Sequence, residues 1–152
     1  LLPRLLERAG PLDGAGSITG IYTVLVEGDD LTEPVSDAVR GILDGHIALS
    51  RGLASRGHHP AIDLLESVSR VADDVIDDAH RLARDEVRRM LAARARNEEL
   101  ISVGAYVAGT DPDCDRAIAR RDSIDAFLRQ PANEGAAYPE TCRRLAGLVA
   151  GR

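Results

Sequence analysis

The chain contains no lysine; all nineteen of its Lys/Arg cations are arginine. Neither a phosphate-loop lysine nor a Schiff-base lysine is therefore available within these 152 residues. Tryptophan is also absent, and one Phe and three Tyr offer few flat rings on which nucleic-acid bases can stack. A formal net charge of −6 disfavours nonspecific nucleic-acid binding as a main role. No apolar run approaches the ~18 residues that a membrane-crossing helix needs, and no signal-peptide pattern opens the chain. The two cysteines, Cys114 and Cys142, stand 28 positions apart (142 minus 114) without metal-ligand spacing, and are expected as reduced thiols rather than a disulfide. Four histidines, His46, His58, His59 and His80, form no ligand set. His58 and His59 are adjacent, so an extended segment points them in opposite directions, and His80 has no second ligand one helical turn on. With no G-x-S-x-G element, no Cys/His pairing and no telling carboxylate pair, hydrolytic triads have no support. The opening Leu1-Leu2-Pro3-Arg4 lacks an initiator Met and begins in mid-pattern, as a fragment of a longer chain does.

What is present describes an ordinary globular chain, 44% apolar and 29% charged, of a length that suits one domain. Leu1, Leu2, Leu5, Leu6 and Ala9 have helical spacing that Gly10-Pro11 ends, and Gly10 to Gly16 reads as a turn-rich loop. From Ile18 to Val26 a nearly continuous β-branched and apolar run reads as a strand buried on both faces, as in parallel sheets. Thr32-Glu33-Pro34 has the composition of a helix start, with Val35, Val39, Ile42 and Leu43 on one face and Gly45 at the close. His46 to Ser50 reads as a second strand, so that strand, helix and strand make a βαβ unit. Gly57 to Arg70 reads as a long ordered connection. Beyond Val71 the periodicity is helical throughout. Ala79, Leu82, Ala83, Val87, Met90 and Leu91 form one apolar stripe. Asp111 and Pro112 start a further helix whose apolar side is Ile118, Ile124, Phe127 and Leu128. After a small-residue linker over 131–137, a last helix is expected from about Pro139 to Val149.

Three features invite a chemical reading, each beside a plainer one. Glu27, Asp29 and Asp30 sit where a parallel strand ends, the edge at which ligands collect in doubly wound sheets; a solvated loop is the plainer reading. Arg70 ends a connection rather than lying on a polar helix face, and a guanidinium held at an edge can grip a phosphate bidentately; a surface ion pair is the plainer reading. Tyr106 interrupts two helices, where it either stacks on a ligand ring or packs into the core.

Several runs carry a resemblance. They are Gly16-Ser17-Ile18-Thr19-Gly20-Ile21-Tyr22-Thr23-Val24-Leu25-Val26-Glu27-Gly28-Asp29-Asp30, Glu33-Pro34 and Arg40-Gly41-Ile42-Leu43-Asp44-Gly45-His46-Ile47. Leu49-Ser50-Arg51, His59-Pro60-Ala61-Ile62-Asp63, Ser67-Val68-Ser69-Arg70 and Ile101-Ser102-Val103-Gly104-Ala105-Tyr106 follow in order. Together they resemble the flagellar and type III secretion export ATPases, relatives of the catalytic ATP synthase subunit. The resemblance covers about residues 1–130; residues 131–152 match no pattern in it. The Arg-Gly-Ile-Leu-Asp-Gly-His form looks more flagellar than injectisome-like.

The resemblance implies α/β followed by all-α: residues 1–72 as the C-terminal part of a P-loop, RecA-like parallel-sheet domain, and residues 73–152 as a helical domain. It implies a cytoplasmic homo-hexamer, peripheral to a membrane export gate, that hydrolyses ATP with Mg²⁺ at subunit interfaces. Export chaperones and export substrates are the implied partners. Arg70 matches the arginine finger that reaches a neighbour's γ-phosphate, a group contributing ~10³–10⁵ in turnover in related systems. Tyr106 matches an aromatic packed on adenine in its own subunit. The phosphate loop, its lysine and the catalytic glutamate would come from an earlier segment, so these residues alone are expected to be inactive. The acidic pairs Asp73-Asp74 and Asp77-Asp78 depart from the family pattern. A non-catalytic helical module that docks export partners is the alternative, and a rotary synthase subunit is a weaker third.

Overall fold

The computed structural model describes residues 2–14, 16–26, 28 and 33–150. The chain divides into two compact units, Leu1–His46 and Ile47–Arg152.

In the first unit, α1 (Leu2–Leu6) packs against α2 (Pro34–Ile42). Pro34 occupies the first turn of α2, where its missing N–H costs nothing, and Glu33 takes the cap position. Thr32, the expected capping hydroxyl, lies outside the described residues. Leu6 and Val39 are buried, whereas Val35, expected on the same face, is mostly exposed. The expected loop over 10–16 is instead an antiparallel hairpin. Its strands β1 (Gly10–Leu12) and β2 (Gly16–Ile18) pair Gly10 with Ile18 and Leu12 with Gly16. Gly20 allows a close approach, since a Cβ there would lie 2.8 Å from the Tyr22 ring and 2.9 Å from the Ala9 Cβ. The strand expected over 18–26 is realised only to Ile18, and residues 19–26 are in neither helix nor strand. A strand needs a ladder partner for its N–H and C=O groups, and among the described residues this run has none beyond β1.

The second unit holds a two-stranded sheet and six helices among its described residues apart from the short α3. The expected second strand is present as β3 (Gly45–Leu49), but its partner is β4 (Ile62–Ser69), not the 18–26 run. β4 occupies what reads in sequence as a connection; Asp63 and Glu66 interrupt its apolar alternation and hide it. Between them α3 (Arg51–Ser55) begins on Ser50, whose hydroxyl accepts the Leu53 N–H at 3.3 Å. Gly57, at φ 70°, takes the left-handed turn that ends α3. There the His58 N–H reaches the Leu53 carbonyl at 3.0 Å.

The helices are α4 (Ala72–Val75), α5 (Asp78–Arg96), α6 (Glu98–Ser102), α7 (Pro112–Ala119), α8 (Arg121–Leu128) and α9 (Tyr138–Val149). The core is a cluster of Ala83, Val87 and Met90 from α5, Ala117 from α7, Ile124 from α8 and Leu145 from α9. The buried face of α5 includes Ala83, Val87, Met90 and Ala93, at steps of four, three and three. Leu82, placed in that stripe by spacing, is 72% exposed, and Ala79 is exposed as well. One helix was expected after Asp111; two are found, hinged at Arg120, and the fully buried Cys114 replaces Ile118 on the inner face. The Asp111 carboxylate accepts the Asp113 and Cys114 N–H groups at 3.0 and 3.2 Å. It also meets Asn97 and Arg96 at the end of α5 at 3.4 and 3.5 Å, joining one helix's start to another's end.

Candidate functional site

β4 ends on the Ser67-Val68-Ser69-Arg70 motif, and three groups set its geometry. The Asp63 carboxylate accepts the Leu65 and Glu66 N–H groups at 3.0 and 3.1 Å, a local turn at the strand's start. The Ser67 hydroxyl accepts the Ala48 N–H of β3 at 3.0 Å and donates to the Asp63 carbonyl, so the motif's first serine ties the two strands together. From α5, the Arg88 guanidinium donates to the Ser67 and Leu65 carbonyls at 3.3 and 3.5 Å. Arg70 follows one residue after β4 and is exposed. It thus stands at the end of a strand that a helix-borne arginine grips from the side.

Tyr106 lies in the loop between α6 and α7. The Ala105 and Tyr106 N–H groups close the end of α6 on the Leu100 carbonyl at 2.8 and 3.1 Å. The Tyr106 hydroxyl donates to Asp115 at 3.0 Å and lies 3.1 Å from the Asp111 carbonyl. The other Asp115 oxygen accepts the Gly109 N–H at 2.8 Å. Burial, then hydrogen bonding to Cys114 and Asp115, raises the Tyr106 phenol well above its ordinary value, so it remains a neutral donor. Its polar end is committed to the first turn of α7 and its cap, and only the ring is left to meet a ligand. Arg70 and Tyr106 belong to separate elements, each held by different neighbours. Glu27, Asp29 and Asp30 lie outside the described residues.

Sequence reasoning missed a third feature. After α3 the chain buries His58 and leaves His59 exposed, as adjacency predicts, with the His59–Pro60 bond cis. The His59 carbonyl accepts the Gln130 N–H at 3.0 Å, and Arg129 Nε lies 3.5 Å from His58 Nδ1. Residues about 70 positions apart thus meet, which no local pattern announces. Ser67 and Arg88 were missed for the same reason: their roles are contacts, not spacings.

Three of the four unusual acids beyond Arg70 have local partners. Asp73 pairs with Arg84 at 2.8 Å and Arg81 at 3.8 Å; Asp78 pairs with Arg81 at 3.2 Å; Asp77 caps α5 by accepting the His80 N–H at 2.7 Å. Among the described residues no three His, Cys, Asp or Glu side chains gather as metal ligands. Both cysteines are free thiols.

Comparison with known proteins defines the class first. The ATP synthase alpha/beta family, nucleotide-binding domain, matches residues 1–69, and the T3SS EscN ATPase C-terminal domain matches residues 76–147. A flagellum-specific ATP synthase of Treponema pallidum (strain Nichols) is 54% identical over 148 residues, which are 97% of this chain and 33% of that protein. A type 3 secretion system ATPase of Pseudomonas syringae pv. syringae is 49% identical over 149 residues, 98% of this chain and 33% of that protein. The solved structure of the assembled ATPase EscN from the enteropathogenic E. coli type III secretion system superposes with a TM-score of 0.92 at 46% identity, covering 98% of this chain and 36% of that one. These relatives are flagellar and type III secretion ATPases, and the chain, similar to them along nearly all of its length, spans about a third of theirs.

Proposed function

We propose that these 152 residues are the C-terminal portion of a ring-forming ATPase that couples ATP hydrolysis to flagellar or type III protein export. Within it, Arg70 is the arginine finger offered to the neighbouring subunit. The observation that carries this reading is the placement of Arg70: one residue past β4, exposed, on a strand held by Ser67 and Arg88. A finger must present its charge to another subunit's phosphate without moving when that phosphate's charge develops. A guanidinium on a braced strand end suits that task.

We further read residues 1–72 as part of the nucleotide-binding α/β domain and 73–152 as the helical domain; the two family matches fall on either side of that boundary. The sheet would be a parallel RecA-like sheet that continues beyond β3 and β4. In support, Ile21 and Leu25 of the strand-like 18–26 run are 92% and 91% exposed, and Ile47 and Leu49 of β3 are also exposed, as apolar residues are when their covering layers are contributed by other segments. A homo-hexamer accords with the assembled state named for the EscN structure. Export chaperones and export substrates are its proposed partners and the cytoplasm its proposed location. No described helix is long and apolar enough to cross a membrane.

The residues present fit one edge of the nucleotide, not the whole of it. Arg70 fits a phosphate oxygen, and the Tyr106 ring fits an adenine face, but without lysine the chain has no phosphate-loop cation of its own. ATP with Mg²⁺, when bound, supplies the γ-phosphoryl group; this chain's part is to hold a fixed positive charge against it. For Tyr106 a second reading, a brace for the loop ahead of α7, is favoured by its hydroxyl bonds to Asp111 and Asp115.

The test is Arg70→Ala in the full-length protein. Steady-state ATP hydrolysis by the assembled ring should fall by ~10³ or more while nucleotide affinity stays within a few-fold. Undiminished hydrolysis by an assembled mutant ring would refute the finger.

A further inference from the structure

The sequence shows no Cys/His pairing, yet the fold makes one. His80 is on the first turn of α5, with its N–H capped by Asp77. Cys142 lies 62 positions later on α9, and its Sγ is 3.6 Å from His80 Nδ1. The Tyr138 hydroxyl is 3.3 Å from the same nitrogen, with the two rings tilted at 43° and their centroids 6.1 Å apart. Tyr138 and Cys142 are four positions apart on one helix, so they share a face that points at the imidazole. Cys142 is partly accessible, whereas the chain's other thiol, Cys114, is fully buried.

We propose that Cys142, with His80 as its base and Tyr138 as a supporting donor, is a nucleophilic thiol that undergoes S-thiolation by low-molecular-weight disulfides. In the tautomer that carries its proton on Nε2, His80 Nδ1 is one acceptor standing between two donors, the thiol and the phenol. When the ring takes the thiol proton, Nδ1–H becomes a donor to the sulfur. The phenol, released from the nitrogen, can turn its hydrogen to the same sulfur. The thiolate then attacks one sulfur of the disulfide, forming a new S–S bond as the old one breaks. The departing thiolate takes up a proton, so Cys142 is oxidised to a mixed disulfide and the reagent is reduced to one free thiol. The neighbouring Cys142 sulfur first, and burial second, raise the Tyr138 phenol above its ordinary value, in keeping with a phenol that keeps its proton beside the thiol. The charged groups nearest the three side chains along the two facing elements are Asp77, Asp78 and Arg81 at the start of α5, and Glu140, Arg143 and Arg144 on α9. The adduct would sit where α9 meets the first turn of α5, beside the Asp77 cap.

The experiment treats the 152-residue chain with glutathione disulfide, quenches samples in acid, and locates adducts by intact mass and peptide mapping. One adduct is expected, on Cys142, with Cys114 unmodified and Cys142→Ser inert. His80→Gln should slow the reaction about tenfold near pH 7 but leave it close to native at about pH 9.5, above the ~8.5 at which an ordinary thiol ionises unaided. A merely structural histidine would slow both alike or neither. Modification of Cys114 first, no adduct on the native chain, or an unchanged His80→Gln rate near pH 7 overturns the proposal. If His80→Gln loses its helical circular dichroism, Tyr138→Phe decides instead: slowing confined to neutral pH supports the site, and a native rate overturns it.

Discussion

Ile124 offers the sharpest test of how the helical core is built. It is 1% exposed, lies on α8, and packs in the cluster with Ala83, Val87 and Met90 of α5, Ala117 of α7 and Leu145 of α9. Truncation to alanine removes three carbons, and at ~0.8 kcal/mol per buried group the lost transfer energy is ~2.4 kcal/mol. If the helices fail to close in, a residual cavity of up to ~80 Å³ at ~24 cal/mol per Å³ adds as much as ~2 kcal/mol. The expected loss for Ile124→Ala is therefore about 3.5 kcal/mol, and for Ile124→Val, one carbon, about 1 kcal/mol. Urea titration followed by far-ultraviolet circular dichroism suits a helical unit in a chain without tryptophan. With a slope near ~1.5 kcal/mol/M, the alanine variant's midpoint should fall by about 2 M and the valine variant's by well under 1 M. A loss below about 1 kcal/mol for alanine, or equal losses for the two variants, would show that α8 does not seal this core.

Two further outcomes follow from the loop and cap around α7. The Asp111 carboxyl is held below its ordinary value, first by the Cys114 N–H, then by the Asp113 N–H and nearby Arg96, against an opposing desolvation. A depressed carboxyl stabilises the fold above its unfolded value of ~3.9 and loses that contribution as pH falls through the folded value. The melting-temperature gap between the native chain and Asp111→Asn should thus be full at neutral pH and narrow below about pH 4; a gap independent of pH refutes it. At Tyr106, Phe and Ala separate hydroxyl from ring in the full-length protein. Phe should lower the melting temperature by untying Asp115 while nucleotide affinity holds, and Ala should weaken nucleotide binding as well. An Ala variant that binds nucleotide normally would leave Tyr106 only its brace.

The periodic segments were legible without coordinates. Val87 and Met90 announce the inner face of α5, Asp111-Pro112 announces the start of α7, and the bounds of α9 fall within one residue of those expected. The misses share a cause. β4 carries Asp63 and Glu66 inside its run, and Leu82 has the right spacing but no helix opposite it. The 18–26 run has strand composition, yet strand structure requires a partner, and composition cannot supply one. Arg70 was legible as a motif ending. The support of its strand by Arg88 was not, because those contacts join residues 21 and 23 positions apart on different elements.

By itself the sequence determined what is local or compositional: helical faces, caps, the missing lysine, the ordered motifs that mark the family, and the thiols' lack of metal spacing. These depend on neighbours three or four positions away, or on no neighbour at all. Tertiary structure alone decided which strand pairs with β3, which arginine grips β4, and that Cys142 lies against His80. Those outcomes depend on burying apolar faces against one another, a nonlocal and nondirectional force. The polar contacts that result are set by where the packing leaves each side chain.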